Sequence, residues 1–312
     1  MRVIRHLPRV KAPLPRVVLT LGNFDGVHLG HQAIIKAAQA QADACGGQVV
    51  AFTFHPHPLA VLAPERAPSM IQSLHDRLAT LREAGVSVAI AQRFTRAFAS
   101  LEPDEFVERF LRSSLELVHV VVGYNVTFGR ARAGTAETLT TLGTRLGFGV
   151  ETVGPVQVGR TVVSSSRVRS ALAEGDVARA QALLGRPYRL RGRVVTGDRR
   201  GRTIGFPTAN LHEKPHVVVP ANGVYAGWVR MDGVARACVV NIGVRPTFGK
   251  LGRTIEAHLL DWSGDIYGRW VDLELTAHLR GERKFDGVAA LRDQIAADVA
   301  QARDLLGVAA AS

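Results

Sequence analysis

The chain has 312 residues, 46% of them hydrophobic, which is enough for two ordinary cores, and a formal net charge of +12. That charge is spread evenly. Residues 1–185 hold 20 basic and 14 acidic side chains and residues 186–312 hold 19 and 13, which argues against a basic tail or a nucleic-acid partner and leaves small phosphate-bearing ligands as the natural counterpart of an Arg-rich surface. Cys45 and Cys238 are too few and too far apart for a disulfide scaffold, and no apolar run reaches the length of a membrane span or a signal-peptide core, so a cytoplasmic protein with no membrane partner is expected.

Arg16–Leu21 is short, apolar and β-branched, and His31–Cys45 carries apolar residues at helical spacing, so a strand is expected to run into a helix there. Between them lies Leu21-Gly-Asn-Phe-Asp-Gly-Val-His-Leu-Gly-His31. Gly22, Gly26 and Gly30 permit tight turns and close approach of main chain to a ligand, and the start of the helix favours an anion. His28 and His31, one turn apart, can both face that anion. Two other readings stand beside this one: a zinc site drawn from His28, His31, His55 and His57, and a surface glycine turn with incidental histidines.

Onward from the box, strands are expected over Gln48–Phe54, Val86–Ala91 and Leu117–Val122, alternating with helices over Ser73–Glu83, Pro103–Ser113 and Thr135–Leu146. That alternation predicts a parallel sheet covered on both faces, with ligands beyond the carboxyl ends of its strands. The glycine box, His55-Pro-His-Pro58 and Gly123–Gly129 each follow a strand and are expected to converge. Val162–Arg169 precedes a helical stretch; its serines suit helix capping, and Arg167 and Arg169 either reach an anion or are plain surface arginines.

Pro187 marks a change of grammar. Short strands are expected over Tyr188–Thr196, Gly223–Arg230, Ala235–Asn241, Thr254–Asp261 and Trp270–Ala277, which spacing predicts an antiparallel sheet or barrel. One helix remains, Asp286–Leu305, with Val288, Leu291, Ile295 and Val299 on the side expected to pack outside the barrel. Gly197–Asn210 reads as a loop whose backbone amides can wrap phosphates, although it is no P-loop. Thr208 and Asn210, two apart in an extended segment, put hard oxygens on one face and suit Mg²⁺. In Thr254–Leu260, Ile255, Ala257 and Leu259 alternate with Thr254, Glu256 and His258, so Glu256 points away from the apolar side, as a solvated strand residue also would.

Taken as strings, these stretches resemble one family. Leu21–His31 resembles the GxFDGxHxGH box of cytidylyltransferase-like nucleotidyltransferases, in the form found in bacterial bifunctional riboflavin kinase/FAD synthetases. Val163–Arg169 is similar to that family's ISSSxxR box, which closes over ATP phosphates, and His55–Pro58 to its second-strand motif. VGYNVTFG stands where many relatives have VGxDFxFG, with Asn125 in place of the acid and Val126 in place of the first aromatic. In the second half GRTIGFPTAN, GVYAG, NIGVRPTFG, IEAHLLDW and LRGERKF resemble the riboflavin kinase module, in order.

The resemblance implies an α/β nucleotidyltransferase domain, Rossmann-like with a parallel sheet, over residues 1–185, followed by an antiparallel β-barrel riboflavin kinase domain with a C-terminal helix over residues 186–312. It implies two Mg²⁺-dependent steps, phosphorylation of riboflavin to FMN by ATP and adenylylation of FMN to FAD. His28 and His31 would then act in adenylyl transfer, with nucleotide and flavin held by Gly22, Asn23, Phe24, Asp25, Gly26, Gly30, His57, Asn125, Ser164, Ser165, Ser166, Arg167 and Arg169. In the kinase, Gly201, Thr203, Gly205 and Arg280 would bind ligand, Thr208 and Asn210 the Mg²⁺, and Glu256 would be the base.

Overall fold

The computed structural model describes residues 1–7, 12–197, 201, 204–213, 216–247 and 250–309. By contacts the chain divides into two units, Met1–Ser165 and Ser166–Ser312. In the first, β-branched runs line up as one parallel sheet of six strands: β1 (Arg2–Arg5), β2 (Leu14–Leu21), β3 (Gln48–His55), β4 (Val88–Arg93), β5 (Leu115–Gly123) and β6 (Gly149–Val153), in the order β1-β4-β3-β2-β5-β6.

Alternation along each strand sends neighbours to opposite faces. Val17, Leu19, Leu21 and Phe52 enter one core, which also takes Phe106, Phe128 and Leu139. Val18, Ala51 and Val121 enter the other, with Ile35, Ala38 and Ala42 of α1 (Leu29–Cys45) and Leu81 of α2 (Leu74–Glu83). Helix α3 (Ala136–Leu146) opens on a capping box formed by Thr135 and Thr138.

The parallel sheet is as expected; several of its parts are not. Helix α1 begins at Leu29, two residues before the periodicity suggests, because the His28 side chain serves as its N-cap. The helix expected over Pro103–Ser113 is an α-helical turn, Pro103–Glu105, running into a π-helix, Phe106–Leu111. Both edge strands, β1 and β6, escape the sequence pattern. Each is short and only partly buried, so neither shows the apolar run of the central strands.

Helix α4 (Ser165–Ala173), from Ser166 onward, and α5 (Val177–Leu184) group by contact with the strands C-terminal to them, whereas the resemblance ends the first domain after Gly185. Six strands then close into a barrel: β7 (Tyr188–Val195), β8 (Ala209–Glu213), β9 (Gly223–Met231), β10 (Val234–Thr247), β11 (Lys250–Leu259) and β12 (Trp270–Arg280), ordered β8-β11-β10-β9-β12-β7. All neighbouring strands pair antiparallel. Ile255, Ala257 and Leu259 are buried and Glu256 lies on the opposite face, as the alternation requires. No described helix is long and apolar enough to cross a membrane.

Helix α6 (Val288–Leu306) packs on the outside of β9, β10 and β12, with Val299, Ala302 and Leu306 against Val224, Ala226, Ala237 and Val239. The contact lies toward its C-terminal half: Val288 is 63% exposed, which corrects its place on the expected apolar side. A polar anchor sets this register. Asp298, 2% exposed, accepts from Arg280 Nε (2.9 Å) and Nη2 (2.8 Å) and from Gln294 Nε2 (2.7 Å).

Removing one partner of such a buried pair strands the other charge, at a typical cost of about 3–5 kcal/mol. Asp298→Ala should therefore lower the denaturation midpoint of the barrel unit. All three tryptophans, Trp228, Trp262 and Trp270, lie in that unit, so tryptophan fluorescence in urea reads it directly. A loss below about 1 kcal/mol, the level of an exposed ion pair, would show that the pair does not anchor α6.

Candidate active sites

In the first unit seven residues, 22–28, join β2 to α1. Of the three glycines that flagged this turn, Gly26 takes positive φ (84°). The other outliers are Phe24 (49°) and Val27 (41°), conformations that side-chain-bearing residues rarely adopt and that persist only when their surroundings enforce them. Gly30 serves a different purpose: a Cβ there would lie 3.2 Å from the His28 imidazole.

The enforcing contacts come from three segments. The Asp25 carboxylate, 1% exposed, is turned inward, accepting from the amides of Ile71 (3.0 Å) and Gln72 (3.2 Å). Ser165 Oγ donates to Asp25 O (2.8 Å). Asn23 O accepts from Arg77 Nη1 (2.6 Å) and Thr53 Oγ1 (3.0 Å). Asp25, which resemblance placed among the ligand-binding residues, is thus tied to the protein backbone in this structure.

His28 Nδ1 accepts from His31 N (3.4 Å), completing the cap of α1, and the two imidazoles stack at 3.6 Å between centroids, 17° from parallel. An accepting Nδ1 carries no proton, so the donor on His28 is Nε2. No acidic residue occupies the first turn of α1, so the helix's own first turn supplies no counter-charge to its positive end. Because β3 and β5 flank β2, the glycine box, His55–Pro58 and Gly123–Gly129 follow three adjacent strands and do converge. His57 Nε2 lies 3.3 Å from Asn23 Nδ2, and Asn125 is exposed beside Gly123.

His55 is held below its usual pKa, first by burial and then by the charges of Arg77 and Arg5. No group of three or more His, Cys, Asp or Glu among the described residues is placed to hold a metal ion. Ser164 and Ser165 close the first unit; Ser166, Arg167 and Arg169 belong to the second, on α4, where Ser166 and Arg167 are exposed and Arg169 half-buried.

In the second unit Asn210 on β8 and Asn241 on β10 both stand opposite Glu256 on β11, forming a polar row across three strands on the outer barrel face. Thr208 Oγ1 lies 3.4 Å from Glu256 Oε2. His258 Nδ1, 2.8 Å from Pro207 O, and its edge contact with Phe206 hold the segment that carries Thr208. The loop glycines permit close approach: a Cβ on Gly197 would fall 2.2 Å from Asn210 Nδ2, and one on Gly201 2.3 Å from Phe206 O. Gly205 supplies positive φ (90°), and Thr203 lies outside the described residues.

Two residues that sequence reasoning passed over join this row. Asn241 does so by register, and Glu282 fills the space that the absent side chain of Gly243 leaves, where it accepts from Asn222 Nδ2 (2.9 Å). Glu282 carries no periodicity signal because it follows the last strand. Arg280, expected to bind ligand, has its guanidinium on Asp298. Beside Thr208 a cavity of about 160 Å³ is lined by Pro207, Leu259, Trp262, Ile266 and Tyr267 among others, a setting suited to a planar aromatic ring.

The family model described as FAD synthetase matches residues 10–167, and the one described as riboflavin kinase matches residues 184–306. The chain is 38% identical over 315 residues to the bifunctional riboflavin kinase/FMN adenylyltransferase of Escherichia coli strain K12, covering 99% of each chain. It is 40% identical over 306 residues to the Pseudomonas fluorescens protein of the same description, covering 98% of each. A crystal structure described as a macrolide-efflux protein from Streptococcus pneumoniae, 32% identical, matches with a TM-score of 0.89 over 97% of this chain and 99% of that one.

Proposed function

Because the chain belongs to the bifunctional riboflavin kinase/FMN adenylyltransferase family, we infer that it converts riboflavin to FAD in two ATP-dependent steps, phosphorylation to FMN and then adenylylation of FMN. We assign the transfer of AMP to residues 1–185 and the kinase to residues 186–312, an assignment supported by the separate family matches. Its substrates are small soluble molecules, and we place it in the cytoplasm.

Adenylyl transfer asks little acid–base work of the protein. An oxygen of the FMN phosphate, already anionic, attacks the α-phosphorus of ATP, and pyrophosphate leaves. What the site must do is align the reactants and offset the charge that grows on the phosphoryl oxygens. The stacked His28–His31 pair at the opening of α1 is the observation that carries this reading, since it places an Nε2–H donor at a dipole-positive helix end.

The kinase step does need a base. The ribityl 5′-hydroxyl must lose its proton as its oxygen attacks the γ-phosphorus and ADP leaves, and Glu256, in line between Asn210 and Asn241, is the carboxylate we assign to accept that proton. The neutral oxygens of Thr208 and Asn210 beside Glu256 fit Mg²⁺, an ion that takes few protein ligands and keeps the rest of its shell for water and nucleotide phosphates. When bound there it would offset phosphate charge in the kinase reaction. We further propose that the cavity beside Thr208 takes the adenine of ATP, with Trp262 and Tyr267 as its aromatic walls.

One assay tests the whole reading. Riboflavin incubated with the protein, ATP and Mg²⁺ and resolved by chromatography should give FMN first and FAD later. FMN without FAD would leave only the kinase, and neither product would overturn both assignments.

A further inference from the structure

Resting on the adenylyl-transfer reading of the first unit, we propose that Arg77 is a positioning residue for that reaction: from beneath the glycine box it holds the segments at the ends of β2 and β3 in the arrangement that presents Asn23, His28 and His31 to the phosphates of ATP. Arg77 lies on α2 at a position where helical spacing from Leu74, Leu78 and Leu81 calls for an apolar side chain, and it is 2% exposed. A buried cation at a packing position is costly, so its contacts carry the meaning.

Those contacts are two backbone carbonyls. Nη1 donates to Asn23 O (2.6 Å), two residues past the end of β2, and Nη2 to Phe54 O (3.0 Å), just before the end of β3. The guanidinium therefore bridges the glycine box and the strand leading into the His55–Pro58 loop. The Asp25 carboxylate, which accepts from the Ile71 and Gln72 amides of the segment leading into the same helix, supplies the nearby opposite charge. Phe24, directly after the pinned carbonyl, has positive φ, and Val27 does so three residues later. A strained backbone keeps its shape only under such restraint. Without the guanidinium the Asn23 carbonyl keeps Thr53 Oγ1 as a donor but loses its tie to Phe54 O of β3, which would let the turn relax and shift the cap of α1 on which His28 sits.

Arg suits this task because its planar fork spans two acceptors at once; a lysine reaches one. A small misplacement of reacting groups can cost as much as 100-fold in rate. Arg77→Met is therefore expected to lower kcat for FAD formation by about 10- to 100-fold, with KM for FMN and the rate of riboflavin phosphorylation near wild type. Arg77→Lys should fall between the two. The charge also bears on His55, so its pKa, followed by NMR, should rise in Arg77→Met and stay low in Arg77→Lys.

A merely structural role predicts another pattern, a lower melting temperature with unchanged kcat per folded molecule. Arg77→Met that is folded at the assay temperature by circular dichroism and turns over FMN at the wild-type kcat overturns the proposal. If that variant does not fold, Arg77→Lys decides on the same terms. Wild-type protein that makes no FAD would instead remove the functional reading on which the proposal rests.

Discussion

Glu256→Gln should lower conversion of riboflavin to FMN by about 10²–10⁴-fold, the usual loss when a general base is removed. The carboxylate stands on the outer barrel face, opposite Asn210 and Asn241, with Thr208 Oγ1 3.4 Å from its Oε2. Gln keeps the size and a hydrogen-bonding carbonyl at that point, so strand register and the Thr208 contact should survive and only the proton acceptor is lost. Supplied with FMN, the variant should make FAD at close to the wild-type rate, because that chemistry is assigned to the other unit. Equal loss of both activities would point to a structural role for Glu256. Full retention of riboflavin phosphorylation would remove it as the base and direct attention to Glu282, the other carboxylate near the row.

The second large effect concerns His28 and His31. Loss of one preorganised donor to a developing charge typically costs about 10²–10³-fold in kcat, so His31→Ala should reduce FAD formation from FMN by that factor and leave FMN formation untouched. His28 needs a more careful substitution, because Nδ1 also caps α1. His28→Ala would remove cap and donor together, and a missing cap alone destabilises by about 1 kcal/mol. His28→Asn separates the two: its side-chain oxygen can cap the helix, but it has no Nε2–H. If the Asn variant retains full FAD synthesis, His28 serves only as a cap; if it loses as much as the Ala variant, the donor is what matters.

Local sequence was enough for the parts of this protein that depend on neighbours along the chain. Short apolar, β-branched runs marked the four central strands of the parallel sheet, apolar residues at helical spacing their main helices, and strict alternation the face of Glu256, because side-chain direction in a strand or helix is set by local backbone geometry. The motifs Leu21–His31 and Gly197–Asn210 marked two candidate phosphate sites for the same reason: glycines, hydroxyls and histidines at short spacing need no distant partner to be recognised. Tertiary structure decided the rest, wherever a residue's role depends on something tens of positions away. That the Asp25 carboxylate accepts from the Ile71 and Gln72 amides is visible only in the fold. So is the pairing of the Arg280 guanidinium with Asp298 of α6. Arg77 sits at an apolar position of its helix, and only the packing of α2 shows what it serves, the carbonyls of Asn23 and Phe54. Burying a charge is tolerable only where another group satisfies it, and the identity of that group is a property of the folded chain rather than of the local sequence.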